Sequence, residues 1–237
     1  MNKKIINKPG HPEKIISKSY TELIEAFKKD GCPICSLNRL NVDSYFSSIL
    51  YECVNDPGVR KNLRSSLGYC RSHSIQFIQF VESSYNRFGA SIIIADISSE
   101  VIKELDRLSK LQLKELKKID ITNHKCPACI YMQSHEHIYY SEIISNLEND
   151  IFLSEFIKSD GLCHAHLVQL MKIIKNTHVR NKIIESQKLK LCQLIKDMDE
   201  FVKKHSQQAS GKITSDEAEA FKKAIRKISG SQSEFER

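Results

Sequence analysis

One pattern of cysteine and histidine occurs twice in this chain, and it limits the possible folds more than any other feature. Cys32-Pro33-Ile34-Cys35 is answered by Gly68-Tyr69-Cys70-Arg71-Ser72-His73, with 34 residues between Cys35 and Cys70. The same order returns as Cys126-Pro127-Ala128-Cys129 and Gly161-Leu162-Cys163-His164-Ala165-His166, with 33 residues between Cys129 and Cys163. A Cys-x-x-Cys knuckle sets two thiolates on one side of a tight turn. A Cys-x-x-His pair on the first turn of a helix supplies a third sulfur and an imidazole. Three soft sulfurs and one nitrogen at the corners of a tetrahedron suit zinc. The expectation is two zinc ions per chain, each held within its own copy: Cys32, Cys35, Cys70 and His73 in the first, Cys126, Cys129, Cys163 and His166 in the second.

The repetition extends beyond the ligands. At an offset of 94, Tyr45 matches Tyr139, Ser47 matches Ser141, Ile49 matches Ile143, and Asn55-Asp56 matches Asn149-Asp150. After a one-residue deletion, Ser66, Gly68 and Gln76 match Ser159, Gly161 and Gln169. A whole helical unit is therefore duplicated. The fold class expected is all-α: two pseudo-symmetric helical lobes, each with a Cys3His zinc site, and a C-terminal amphipathic helix. The boundaries read as a flexible N-terminus over 1–18, a first repeat over 19–120, a second over 121–205, and a linker with the last helix over 206–237.

Apolar spacing places the helices. Ser19-Tyr20-Thr21-Glu22 has the form of a capping box, and Gly31 ends the helix it opens. A longer helix follows Cys35, carrying Leu40, Tyr45, Phe46, Ile49, Leu50 and Cys53 until Asn55-Asp56-Pro57-Gly58 breaks it. Val59 to Ser66 forms a short helix, and Cys70 opens the next, with Ile75, Phe77, Ile78 and Val81 as core candidates. Residues 90–119 read as one long helix, with residues 179–204 as its counterpart. Thr214-Ser215-Asp216-Glu217 is a further capping box, opening a helix with Phe221, Ala224, Ile225 and Ile228 on one face and free to dock on the body or on a partner. Residues 206–211 read as a flexible linker, and 230–237 as disordered.

Six of the eight cysteines fall in ligand spacings. Cys53 and Cys192 remain, each in an apolar stretch, and both are expected to be buried and inert. The N-terminus lacks the apolar core of a signal peptide and no stretch approaches a membrane span, so the chain is placed in the cytoplasm, where thiols stay reduced and free to bind metal. The net charge of +7 is spread as +3 over residues 1–31, +2 over 32–120, +1 over 121–205 and +1 over the tail. With 27 lysines against 9 arginines and no basic arm, a solvated lysine-rich surface fits better than a nucleic-acid interface.

Other chemistries of the same residues are disfavoured. A thioredoxin-type pair needs a βαβ setting, and a c-type haem site needs His directly after the second cysteine, where Ser36 and Ile130 stand. An iron–sulfur cluster ordinarily takes four cysteines, so it ranks below zinc. With four protein ligands each, both sites read as closed and structural. His164 and His124 compete with His166 in sequence, but alignment of the copies puts His164 opposite Arg71 and selects His166. His135 and His137 read as surface or supporting residues. No Ser/His/Asp set, phosphate loop or paired-carboxylate signature is present.

Cys32, Pro33, Cys35, Gly68, Cys70 and His73, repeated as Cys126, Pro127, Cys129, Gly161, Cys163 and His166, resemble a prokaryotic family of uncharacterised, duplicated α-helical proteins with CPxC and GxCxxH in each half. The resemblance covers about residues 20–205 and leaves the C-terminal helix outside. It implies a pseudo-two-fold helical body and brings no activity. The functional expectation is a non-enzymatic platform for a protein partner; a zinc-thiolate redox or metal sensor and a nucleic-acid module are the alternatives.

Overall fold

A computed structural model describes residues 17–119, 125–206 and 211–230. The expectations for residues 1–16, His124, 207–210 and 231–237 lie outside the described residues. The described chain is all helical, with α1 Lys18–Phe27, α2 Pro33–Tyr51, α3 Pro57–Ser65, α4 Arg71–Ser84, α5 Arg87–Leu108, α6 Leu113–Leu116, α7 Pro127–Asn146, α8 Asp150–Lys158, α9 His164–Ile173, α10 Thr177–His205 and α11 Ser215–Ser229. No described helix is long and apolar enough to cross a membrane.

The two long helices that follow the knuckles, α2 and α7, pack antiparallel through the middle of the molecule, and each crosses both lobes. The first half of α2 (Ile34, Leu37) shares a core with the second half of α7 (Tyr139, Tyr140, Ile143), together with α1, α8 and α9. The second half of α2 (Val42, Phe46, Ile49, Leu50) shares the other core with the start of α7 (Ala128, Met132), together with α3, α4 and α5. Tyr45 and Tyr131 meet at the crossing, with ring centroids 4.9 Å apart. Each core is closed by aromatic packing: Phe27 lies between Phe152 and Phe156 in one, and Phe46 touches Tyr69 and Phe77 in the other. A fully buried Phe contributes on the order of 1.5–3 kcal/mol, so these rings fix the lobes firmly.

Several local expectations shift. The cap of α1 is Ser17, whose Oγ accepts from the Tyr20 N–H at 3.0 Å; Ser19 lies inside the helix, and both hydroxyls donate to Glu142 of α7, at 2.7 and 2.9 Å. The helix expected over 90–119 is broken. It stops at Leu108, and Gln112 and Glu115 form a new capping box that opens α6, which satisfies orphan N–H groups where the chain leaves the body. Leu40, Ile78 and Leu105 are exposed, since the stripes they belong to are wider than the core. Cys192 is exposed and Cys53 only partly buried, against the expectation that both are core residues; Cys53 lies past the end of α2 at Tyr51, and Cys192 falls on a solvent-facing side of α10.

Candidate metal centres

Each Cys-x-x-Cys lies across the start of a helix. Cys32 and Cys126 take the N-cap positions of α2 and α7, Pro33 and Pro127 the first helical position, and Cys35 and Cys129 follow one turn in. Cys70 and Cys163 are likewise the N-caps of α4 and α9, which puts His73 and His166 on the first turn. All eight sequence-derived ligands therefore sit at helix N-termini, where exposed N–H groups and the helix dipole favour thiolates. Gly68 and Gly161 precede them with φ of 95° and 76°, a left-handed turn that glycine adopts without strain.

The eight residues gather as two quartets, but across the copies. Cys32 and Cys35 meet Cys163 and His166, and Cys70 and His73 meet Cys126 and Cys129. The expected pairing of each knuckle with its own Cys-x-x-His is thus corrected. Because α2 and α7 run antiparallel through both lobes, each knuckle is carried to the Cys-x-x-His helix of the other copy.

Within each quartet the ligand atoms lie within 4.8 Å of one another. The Nδ1 of His166 is 3.3 Å from the Sγ of Cys32, 3.3 Å from that of Cys35 and 3.2 Å from that of Cys163, and Cys35 and Cys163 are 3.8 Å apart. The Nδ1 of His73 is 3.3 Å from Cys70, 3.5 Å from Cys126 and 3.3 Å from Cys129, and Cys70 and Cys129 are 3.7 Å apart. A tetrahedron with Zn–S bonds of about 2.3 Å has S–S edges of about 3.8 Å, and with Zn–N near 2.1 Å its S–N edges are about 3.6 Å. Both quartets have the size of a single-ion site.

Sulfurs packed this closely must share protons until a cation takes their place. Burial pulls the His166 imidazole down, but the Cys163 and Cys32 thiolates outweigh it and push His166 up to about 10. Hydrogen bonds from Cys32 and Cys35 hold Cys163 far below the usual thiol range, while Cys163 and Cys32 drive Cys35 well above it. In the second quartet the Cys129 hydrogen bond, against burial and with help from His73, brings Cys126 down to about 3; Cys129 is driven up in return, mainly by Cys126. A divalent cation that replaces these shared protons releases them on binding.

The quartets differ in their surroundings. Glu136 of α7 places Oε1 3.8 Å from the free Nε2 of His166 and is itself held by the Asn38 amide at 3.1 Å. The contact with His166 is longer than a hydrogen bond, so the carboxylate acts on the ring through its charge, which favours the N–H on Nε2 and leaves Nδ1 to the sulfurs. Glu136 lies outside both cysteine–histidine motifs, and its place between His135 and His137 on the knuckle helix is the one sign of it in the sequence. His135 and His137 join neither quartet, and the His135 Nδ1 faces the Tyr131 carbonyl at 3.0 Å. His164 is exposed and also stands apart, in keeping with the choice of His166.

The sequence profile of a family of unknown function, DUF6062, matches residues 18–234. An uncharacterized 23.9 kDa protein in the xynA 3' region of Caldicellulosiruptor sp. (strain Rt8B.4) is 25% identical over 214 residues, covering 89% of this chain and 100% of its own length. No solved structure matches. The family match runs through α11, so the C-terminal helix is not the departure from the family that the sequence resemblance implied.

Proposed function

As the chain belongs to DUF6062, a family whose description carries no activity, its role must be read from the two quartets, and we propose a cytoplasmic, non-enzymatic zinc protein whose two ions clamp the copies together into a rigid platform for a protein partner. The observation that carries the reading is the exchange of ligands between copies: either ion ties α2 or α7 to a helix of the opposite repeat. Four protein ligands per quartet leave no open position for a catalytic water, which favours a structural role. Zinc is favoured over an iron–sulfur cluster by the short edges of both tetrahedra, since a cluster spreads its cysteine sulfurs over several irons. Metal analysis of the purified chain should give two zinc ions, with no visible iron–sulfur absorption. One ion or none, or such a band, would contradict the reading. Crosslinking in cells followed by mass spectrometry then tests the platform by identifying what the surface holds.

A zinc-thiolate sensor is the second reading, favoured by the partial exposure of Cys70 and Cys129. Chelator titration separates the two: a platform loses helicity as the metals leave, and a sensor keeps it in a second folded state.

A further inference from the structure

The surroundings of the quartets are less symmetric than their ligands. After the second copy α10 leads into α11, which returns along it antiparallel: Glu217 near its start pairs with Lys204 at 2.6 Å, and Lys227 near its end reaches Gln187 at 2.8 Å and the Asp160 carbonyl. The helix ends at Gly230, which is buried against the first quartet so closely that a Cβ there would lie 3.3 Å from the Cys35 sulfur and 3.5 Å from the Cys163 sulfur. Among the described residues the first copy has no such return. Its long helix gives way to the short α6 and then to the second knuckle.

Sulfur burial follows the same division, although the imidazoles run the other way. Cys32 and Cys163 are buried and Cys35 is the one partly open sulfur of the first quartet, with His166 partly open beside it, whereas in the second quartet Cys70 and Cys129 are both partly open and His73 is buried. Glu136 supports His166 only, and the position matching it in the first copy at the offset of 94 is Val42, which has no carboxylate to offer His73. The helix that closes the first quartet packs closely along α10 and also meets α9, but through small side chains. It buries Ala220 and Ala224, while Phe221, Ile225 and Ile228 remain 51%, 40% and 67% exposed. Alanines offer little area to hold a helix down, so α11 can lift at modest cost.

We infer that the two metal centres differ in access: α11 is a lid that closes the first, and the second is the one at which metal and thiol reagents exchange. The inference rests on the zinc reading above and adds a division of labour to it. The first ion is a permanent staple and the second is the exposed, responsive one, while anything that draws α11 away through its apolar flank would open the first as well.

The test uses the full zinc-loaded chain, a chromophoric chelator and limiting iodoacetamide, with mass spectrometry following each cysteine. One zinc should leave early together with alkylation of Cys70 and Cys129, and the other at least tenfold later with Cys32, Cys35 and Cys163. Ala224→Asp, which sets a carboxylate in the α10–α11 contact, should speed the late phase severalfold and leave the early one unchanged. The inference is overturned if all six cysteines react together in the wild type, or if undocking α11 leaves the late phase as it was. Should Ala224→Asp fail to fold, the wild-type labelling order alone decides. Purified chain without zinc would instead overturn the reading beneath it, a distinct failure.

Discussion

Replacing Glu136 by Gln keeps the shape of the contact with His166 and removes its charge, so the role of this carboxylate can be isolated. The zinc affinity of the first quartet should fall about tenfold, the low end for partners of a ligating histidine, because the 3.8 Å contact is longer than a hydrogen bond. Competition titration measures it, with the affinity of the second quartet as an internal control; equal weakening of both would mean a general loss of structure. Lys190 offers a test of a different kind. Its ammonium donates to Ser186 Oγ at 3.2 Å and to the Ile157 carbonyl, and burial, with Lys227 beside it, brings it down from 10.5 to about 8. Below pH 8 both folded and unfolded chains hold that proton, and the full penalty of the half-buried charge is present. Between about 8 and 10.5 the unfolded chain binds the proton that the folded one has released, so stability rises with pH across that window. Lys190→Met should flatten the rise and, with partial exposure discounted, gain about 1 kcal/mol at pH 7. Urea unfolding of both proteins at pH 7, 9 and 10.5 checks this, and parallel curves would refute it.

At the level of elements, the paired turns before α4 and α9 look alike in sequence and differ in their neighbours. A Cβ on Gly68 would meet only Ile97 methyl groups, at 3.6 and 3.7 Å. A Cβ on Gly161 would lie 1.9 Å from the Gln187 amide nitrogen, and Gln187 is buried and holds Lys227 of α11. Both alanine variants meet left-handed strain of roughly 1–2 kcal/mol. Gly161→Ala must also expel Gln187, so its melting point should fall further, by about 1 kcal/mol more in stability terms. Equal effects would show that Gln187 moves aside freely. The helices themselves were largely legible: Thr214 with Glu217 opens α11 as its capping box requires, while α2 stops at Tyr51, short of the Asn-Asp turn whose Asp56 caps α3. The break after Leu108 was not, because the apolar stripe of α5 continues past the point where the body stops supporting it.

For the molecule as a whole, the eight cysteines and histidines that gather into quartets could be picked out in advance but their partners could not. Two copies related by a pseudo-two-fold axis present the same spacings whether each knuckle closes on its own helix or on its twin's, and only the antiparallel crossing of α2 and α7 chooses. That choice alters what a ligand substitution does. Cys70→Ser should reduce bound zinc from two to one and cost several kcal/mol. Unfolding should stay a single transition, since the damaged quartet joins helices of both copies, in place of the selective loss of one lobe that pairing within a copy would give. Circular dichroism melts and metal analysis decide between them. Cutting the chain between residues 120 and 124 gives a sharper contrast: the two halves, co-expressed, should copurify only with zinc, and neither half alone contains a complete quartet.

The quartets are also nested along the chain. All four ligands of the second, from Cys70 to Cys129, fall between the Cys35 and Cys163 of the first. As the polypeptide emerges from the ribosome, no zinc can find the four ligands of either quartet until Cys129 is out, and the second centre is then complete while Cys163 and His166 are still unmade. Synthesis thus imposes an order on the native centres, inner clamp before outer, so the first knuckle must wait for the second half, and the lid over the outer centre arrives later still.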